Sequence, residues 1–213
     1  MRGMKLVLPL AAAALLITAA LWARSAALAK QFPQPTIHLA APGEALDIEG
    51  LRLTVESATL LEGSQIVEHL NGYQPLPGYP ENSMKIIMVD IHVSNVSQDR
   101  KSFSWPRYVL RSGAWANGFD PDAVRALQPE VSWETSMAPG DEMSITLTSL
   151  LTEWSIGVDD WDTAVQRDYS LDLLQYPDYY RLQLPDFRGP GGGTPPPSPH
   201  GRPWPGHARP CIH

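Results

Sequence analysis

Two side chains suited to proton transfer, Asp90 and His92, stand two residues apart in the stretch 84–96. If that stretch is a strand, both side chains lie on one face, because successive strand residues alternate between faces. A histidine beside a carboxylate is typical of general acid–base catalysis. A serine hydrolase would also favour a strained Gly-x-Ser-x-Gly turn, and the sequence contains none. We interpret Asp90 and His92 as part of a solvent-facing polar stripe, with an acid–base pair as the alternative.

A copper site is a second possibility along the same stretch. Met84, Met88 and His92 follow one another at intervals of four residues, and thioether ligands favour cuprous ions. Four strand residues span about 13 Å at roughly 3.3 Å per residue, which is too far for ligands of one ion. Packing is the preferred interpretation of these methionines.

Aspartates on two predicted loops offer the oxygen ligands that calcium prefers. Asp159, Asp160 and Asp162 lie on one loop, and Asp120 lies with Asp122 on another. Neither loop has the spaced Asp-x-Asp-x-Asp-Gly pattern with its distant glutamate. Acids are common at helix N-termini because they favour the helix dipole, so we predict neither a metal site nor a cofactor.

Aromatic side chains in predicted loops are the best candidates for contacts with a ligand. The domain is rich in tryptophan, and exposed aromatic rings stack on sugars or anchor protein partners. The predicted contact residues are Tyr73, Tyr79, Trp115 and Trp161. The expected partner is a protein or a glycan outside the cell.

The charge distribution narrows the classes of partner. Residues 37–185 carry 22 acidic against 9 basic side chains, a balance of −13. A field of this sign repels nucleic acid and anionic lipid head groups, so we expect no nucleic-acid partner. The single cysteine, Cys211, permits neither an intrachain disulfide nor a cluster of thiolate metal ligands.

The amino terminus has the layout of an export signal. A basic head with Lys5 precedes the apolar run 6–22, and Ala27 and Ala29 bracket a small-residue cleavage motif. We predict either a signal peptide cut after Ala29 or an uncleaved anchor helix. The run 6–22 has 17 residues, which is at the lower limit for a bilayer span of roughly 20 apolar residues, so the sequence does not decide between the two. An anchor would touch the membrane only through residues 6–22. Both alternatives export the domain that follows.

Strands are the elements expected to position these side chains. Ile87, Val89, Ile91 and Val93 alternate with other residues in 84–96, which predicts a strand with one packed face and one mixed face. Further strands are predicted at 45–48, 51–61, 103–111, 143–148, 169–174 and 180–184, with 132–136 as one more candidate. A set of about seven to eight strands separated by turn signals is typical of an antiparallel β-sandwich.

Local signals add detail to this pattern. The apolar alternation in 51–61 changes phase, which predicts a bulge. Prolines and glycines across 66–81 predict an exposed irregular loop. Asp120 followed by Pro121 predicts a helix start, with aspartate as N-cap and proline at the first helical position. A second short helix or loop is expected at 157–167.

The predicted domain organisation has four parts. These are a signal peptide or anchor helix at 1–29, a linker at 30–43, the sandwich at 44–187 and a tail at 188–213. The tail is rich in proline and glycine and cannot bury a core, so it is predicted to be disordered. It contains His200, His207, Cys211 and His213, but ordering such a segment around a metal costs conformational entropy, and no site is predicted there.

The run Lys85–Ser97 resembles a recurrent signature in which an alternating strand ends in an asparagine and a polar turn. A Phe/Trp segment, the strand Tyr108–Arg111 and the turn Pro139-Gly140-Asp141-Glu142 follow it in order. Together they are similar to the secreted immunoglobulin-like (telokin-like) domains of Gram-positive bacteria, over roughly residues 44–185. The resemblance implies an immunoglobulin-like sandwich outside the cytoplasm and brings no catalytic residues with it.

These observations predict an exported, non-enzymatic immunoglobulin-like domain that binds at the bacterial cell surface or envelope. An exported hydrolase or carbohydrate-active module is the alternative, and a purely structural spacer is a third. A hydrolase needs a pocket with two converging titratable groups. A binding domain needs an exposed apolar or aromatic patch instead.

Overall fold

A computed structural model describes residues 4–71, 73 and 78–187. Its helices are α1 (Met4–Gln31), α2 (Ser64–His69), α3 (Pro121–Leu127), α4 (Glu153–Ile156) and α5 (Val158–Trp161). Its strands are β1 (Thr36–Ala40), β2 (Ala45–Ile48), β3 (Leu51–Glu62), β4 (Met84–Asn95), β5 (Lys101–Ser104), β6 (Val109–Ser112), β7 (Trp115–Asn117), β8 (Glu134–Met137), β9 (Glu142–Thr152), β10 (Ser170–Gln175) and β11 (Asp178–Gln183). The tail 188–213 lies outside the described residues, and its disorder stays a prediction.

The chain divides into two compact units, of which the first comprises Met1–Ile37 and Leu174–Tyr179. This unit holds α1, which runs through the predicted apolar segment and ends at Gln31, beyond the predicted boundary at Ala29. Within the part of the chain that the structure describes, no helix combines the length and apolar character needed to cross a membrane. Cleavage after Ala29 stays a prediction.

The predicted linker, 30–43, is wrong in one part, because β1 lies within it. Ala40 of this strand is buried while Leu39 is exposed, as expected for alternating strand residues. Pro33 and Pro35 precede β1 and indicate an extended linker. The five residues of β1 gave a weaker signal for a strand.

The second unit, residues 38–173 and those from 180 onward, contains a four-stranded sheet of order β2-β3-β4-β9. Strand β4 pairs antiparallel with β3 on one side and β9 on the other. Its alternating apolar residues are all fully buried: Ile87, Val89, Ile91 and Val93. The predicted packed face of this strand is therefore confirmed.

A second sheet, of order β1-β11-β10-β6-β7, supplies the other wall of the core. Leu110 of β6 and Leu171 of β10 are buried in the same hydrophobic cluster as Ile91 of β4. Two sheets around one core form a β-sandwich, so the all-β prediction is confirmed. Eleven strands are described. Two of them were not predicted: β1 follows two prolines that indicated a linker, and the three residues of β7 lie between the turn signals Ser112-Gly113 and Asn117-Gly118.

The predicted bulge is present in β3. Val55 pairs with Ile91 and Ser57 pairs with Asp90, and the register shifts between Val55 and Ser57. A bulge sets two residues of one strand opposite a single residue of its partner. Glu56 and Ser57 therefore both stand opposite Asp90.

The outer face of the four-stranded sheet, turned away from the sandwich core, is covered near the start of β4. A second hydrophobic cluster covers it, formed by Leu61, Ile66, Leu70, Met84, Ile86 and Ala123. The prediction of an exposed loop at 66–81 is wrong at its start, because α2 carries Ile66 into this cluster. The other half of the face, from Asp90 to Ser94, stays partly exposed.

The residues on either side of α3, Asp120 and Gln128, close part of the free edge of β9. The backbone N–H of Asp120 donates to the carbonyl oxygen of Thr148 at 2.8 Å. The side-chain amide of Gln128 donates to the carbonyl oxygen of Thr146 at 3.0 Å. Open strand edges invite pairing with other chains, and these contacts block strand addition at both positions.

Candidate functional site

Tyr73, the first predicted contact residue, is half-buried and engaged within the domain. Its hydroxyl donates to Asp120 Oδ2 at 3.0 Å. The other carboxylate oxygen of Asp120 accepts the backbone N–H groups of Asp122 and Ala123, which confirms the predicted N-cap of α3. Burial and then the negative charge of Asp120 raise the pKa of Tyr73 to about 12. Tyr73 is thus tied to the N-cap of α3.

Trp161, predicted in a loop among polar neighbours, lies in α5 and is only 8% exposed. Its indole N–H donates to the carbonyl oxygen of Asn82 at 3.2 Å. The ammonium group of Lys85 lies 4.7 Å from the ring centroid, within the range of a cation–π contact. Trp161 is therefore a core residue rather than an open stacking platform.

The two remaining predicted contacts are half-buried. Tyr79 packs against the second hydrophobic cluster. Trp115 lies in β7 rather than in a loop, and its ring meets Tyr169 edge-on with centroids 6.2 Å apart. None of the four predicted residues is fully exposed, and their role in binding stays a prediction.

Two tryptophans of the described domain residues are exposed, Trp133 at 45% and Trp154 at 74%, and Trp154 is the more exposed of the two. It lies in α4, whose first turn is closed by a capping box. The backbone N–H of Thr152 donates to Ser155 Oγ at 3.2 Å, and the Ser155 hydroxyl donates to the carbonyl oxygen of Thr152 at 2.8 Å. Ile156 packs against the sandwich core. The indole therefore projects from a fixed turn.

A sequence signal for Trp154 existed. The spacing Thr152-x-x-Ser155 is close to the capping-box pattern, whose third helical residue is usually Glu or Gln. It places Trp154 at the second position of a new helix that starts where β9 ends. Loop composition favoured Trp161 and Trp115 instead.

Asp90 and His92 do lie on the same partly exposed face, but each has its own partners. The hydroxyls of Ser57 and Thr146 donate to Asp90, the latter at 2.6 Å. The Nδ1 atom of His92 lies 3.3 Å from Ser144 Oγ, and its Nε2 atom lies 3.8 Å from Glu142. These contacts fit a cross-strand polar stripe, the preferred interpretation of the sequence.

A depression of about 530 Å³ opens over this stripe. Its lining residues are Glu56, Ser57, Asp90, Gln128, Ser144, Ile145 and Thr146. The bulge in β3 brings Glu56 and Ser57 to its rim, and the end of α3 brings Gln128. Three paired strands hold six of the seven lining residues, so the positions of these residues are set by the register of the sheet.

Three of the residues considered as metal ligands make other contacts. Met84 is buried in the second hydrophobic cluster, and Asp120 caps α3. Asp160 lies 3.7 Å from Arg167. Across residues 4–71, 73 and 78–187, no three histidine, cysteine, aspartate or glutamate side chains converge to hold a metal ion. The tail histidines and Cys211 lie outside these ranges.

Two sheets that enclose a single apolar core, with a polar depression on the outer face of one of them, define a β-sandwich domain. The chain belongs to the family described as "Domain of unknown function (DUF5028)", which matches residues 42–179. No curated protein matches the sequence.

Several solved bacterial structures are similar to this chain. A conserved hypothetical protein from Bacillus anthracis is 16% identical, with a TM-score of 0.45 over 68% of this chain and 94% of that one. The yjhA protein from Bacillus subtilis is 12% identical, with a TM-score of 0.42 over 68% and 98%. An uncharacterized β-sandwich protein from Clostridium difficile is 11% identical, with a TM-score of 0.38 over 71% and 97%.

Proposed function

We propose that this protein is an exported, non-enzymatic immunoglobulin-like domain that binds a protein or glycan at the bacterial cell surface or envelope. The observation that carries the proposal is the exposure of Trp154 on a fixed turn. Tryptophan is enriched among the residues that dominate binding energy. A ring held in place by its own helix loses little conformational freedom when a partner covers it.

The surroundings of Trp154 indicate the character of the partner surface. Glu153 precedes it, and Asp159 and Asp160 lie exposed on the next helix. The carboxylate of Glu153 accepts the Ser83 hydroxyl at 3.2 Å. An aromatic ring among carboxylates suits a glycan, which stacks on the ring and donates its hydroxyls, or a protein surface that is neutral to basic.

The contacts of Asn95 support the immunoglobulin-like interpretation, because they give a structural role to the asparagine in the signature that this sequence resembles. Asn95 is buried, and its side-chain amide donates to the carbonyl oxygens of Asp99 and Met137 at 2.8 and 2.9 Å. Its backbone carbonyl accepts the N–H of Gly140 at 2.9 Å. The asparagine thus joins the turn after β4 to the Pro-Gly-Asp turn before β9, and both turns belong to the signature.

The contacts of Asp90 and His92 favour binding over hydrolysis. Ser57, the hydroxyl next to Asp90, has no imidazole among its hydrogen-bond partners in the described residues. The imidazole of His92 does have a hydroxyl and a carboxylate beside it, but its Nδ1 atom lies 3.3 Å from Ser144 Oγ and its Nε2 atom lies 3.8 Å from Glu142. Both distances exceed the roughly 2.6–3.2 Å of a nucleophile–base hydrogen bond. A hydrolase needs a nucleophile and a base within hydrogen-bond reach, with a third group that orients the base.

The proposal is tested by sedimenting the purified full chain with envelope material from its native cells. Trp154→Ala is expected to lower the retained fraction at least fivefold. Val96→Ala is the matched control. Val96 is also an exposed apolar residue, but it follows the end of β4, whereas Trp154 lies near the start of that strand. Both variants should keep the circular dichroism spectrum of the unsubstituted protein.

Three results would contradict the proposal. Equal retention of the Trp154→Ala and unsubstituted proteins removes the contact role of Trp154. Release of soluble fragments from the envelope material indicates the hydrolase alternative. Recovery of the native protein in the cytoplasm, with its first residue still Met1, contradicts export; a mass that begins at Lys30 in the medium supports the cleaved form.

A further inference from the structure

The depression over Asp90 has a hydrogen-bonding polarity that its own contacts fix. A hydroxyl group has one proton to donate. Ser57 and Thr146 both give that proton to the Asp90 carboxylate. The two hydroxyls therefore offer only lone pairs to a ligand and act toward it as acceptors.

The amide of Gln128 adds a further acceptor. Its nitrogen donates to the carbonyl oxygen of Thr146 at 3.0 Å, and only the nitrogen of an amide group can donate. The other atom of the pair is therefore the oxygen, which accepts. Together with the carboxylates of Glu56 and Asp90, this makes the lining rich in acceptors.

The charge of the lining also favours a ligand that donates hydrogen bonds, because it favours a cation over an anion. Its seven residues include two carboxylates and no basic side chain. A phosphate or carboxylate ligand would meet both like charge and lone pairs, which are unfavourable. A cation that bears N–H groups would meet opposite charge and acceptors, and such charge-assisted hydrogen bonds are stronger than neutral ones.

We propose that this depression binds an organic cation with N–H donors, namely an alkylammonium or guanidinium group. Calcium is the competing cation, but it takes roughly six to eight oxygen ligands, several of them carboxylates. The residues that the structure describes bring no three acidic, histidine or cysteine side chains together for a metal. An ammonium group needs only three acceptors, which this lining supplies. The site does not involve Trp154, so it stands or falls separately from the proposed function.

The test is an NMR titration of the full chain with Nα-acetyl-lysine amide and Nα-acetyl-arginine amide. Nα-acetyl-norleucine amide, which keeps an alkyl side chain without the charge, is the matched ligand control. We expect saturable shifts at the lining residues with the lysine or arginine probe, and none with norleucine. Putrescine, a free diamine, shows whether the site takes any alkylammonium group or prefers one on an amino-acid backbone.

Two variants connect the binding to the lining. Asp90→Asn keeps the shape of the side chain and removes its charge, and it should weaken binding at least tenfold. Thr146→Val removes one acceptor with little change of volume and should weaken binding at least threefold. Asp47→Asn is the matched control, because Asp47 is an exposed carboxylate paired with Arg52 outside the depression, and it should leave affinity unchanged.

Four outcomes would overturn the inference. They are the absence of saturable shifts with both charged probes, equal affinity in the Asp90→Asn variant, and tighter binding of inorganic phosphate than of the amines. The fourth is binding of calcium to the same residues in a form that excludes the amines, which would reassign the depression to a metal. The Thr146→Val variant keeps the test decisive if Asp90→Asn fails to fold.

Discussion

The sharpest test of the packing concerns Asp172 on β10, which is fully buried although it carries charge. Its carboxylate accepts Arg111 Nε at 2.9 Å. It also accepts Arg181 through Nε and Nη2, both at 3.1 Å. Each arginine is about one-third exposed. A single buried acid therefore joins the two strands that flank β10.

Replacing Asp172 by alanine leaves two guanidinium groups without their shared partner. Removing one member of a buried ion pair costs about 3–5 kcal/mol, because the remaining charge stays poorly solvated. Arg111 and Arg181 already reach water in part, so they can turn outward. We therefore expect Asp172→Ala to lower the free energy of unfolding by about 3 kcal/mol, the lower end of that range.

Urea unfolding of the full chain measures this loss, with Asp47→Ala as the matched control. Asp47 also binds its arginine through two contacts, of 2.7 and 3.0 Å to Arg52, but both side chains are about half exposed. An exposed pair contributes about 1 kcal/mol or less. The hydrogen bond from Arg52 lowers the pKa of Asp47, but solvent screens that pair. A loss below about 1 kcal/mol for Asp172→Ala, or one equal to that of the control, would refute the role assigned to burial.

Two further predictions concern Tyr73 and the glycine turns at Gly50 and Gly140. The pKa of Tyr73 is raised from 10.0 to about 12, so the folded state favours the neutral phenol. The stability that this preference contributes is fully present below pH 10 and is lost as the pH rises to 12. The urea midpoint of Tyr73→Phe should accordingly fall less between pH 10 and pH 12 than that of the unsubstituted protein; parallel curves would contradict this. Gly50 has a φ of +89°, and a Cβ there would lie 2.8 Å from Ser97 Cβ, so Gly50→Ala should cost about 2 kcal/mol in thermal or urea unfolding. Gly140→Ala, with φ +81° and open space around its Cβ, should cost about 1 kcal/mol, and equal losses at the two glycines would exclude a steric contribution from Ser97.

Local signals in the sequence predicted local structure correctly. The alternation from Ile87 to Val93 predicted β4 and its packed face, because a strand repeats every two residues whatever lies around it. The phase change in 51–61 predicted the bulge at Glu56. Asp120 and Pro121 predicted the start of α3, since an N-cap depends on contacts within three residues.

The same signals failed where distant segments decide the outcome. Composition placed residues 66–81 in an exposed loop, yet Ile66 is buried against the outer face of a sheet that no local pattern reveals. Trp161 and Trp154 are seven residues apart and both have acidic neighbours. Trp161 is covered by Asn82 and Lys85, whereas Trp154 keeps 74% of its surface exposed.

The sequence by itself determined the longer strands, the N-cap of α3, the bulge and the acidic character of the domain, because each depends on residues a few positions apart or on a sum over the chain. The tertiary structure alone decided which polar groups meet. Asp90 finds Ser57 and Thr146 across 33 and 56 residues of sequence, and Asp172 finds Arg111 across 61. Strand order and register set those meetings, and both are fixed by the burial of the opposite faces of the sheets. The depression is for this reason a product of the fold, although every residue in it belongs to an ordinary strand or helix end.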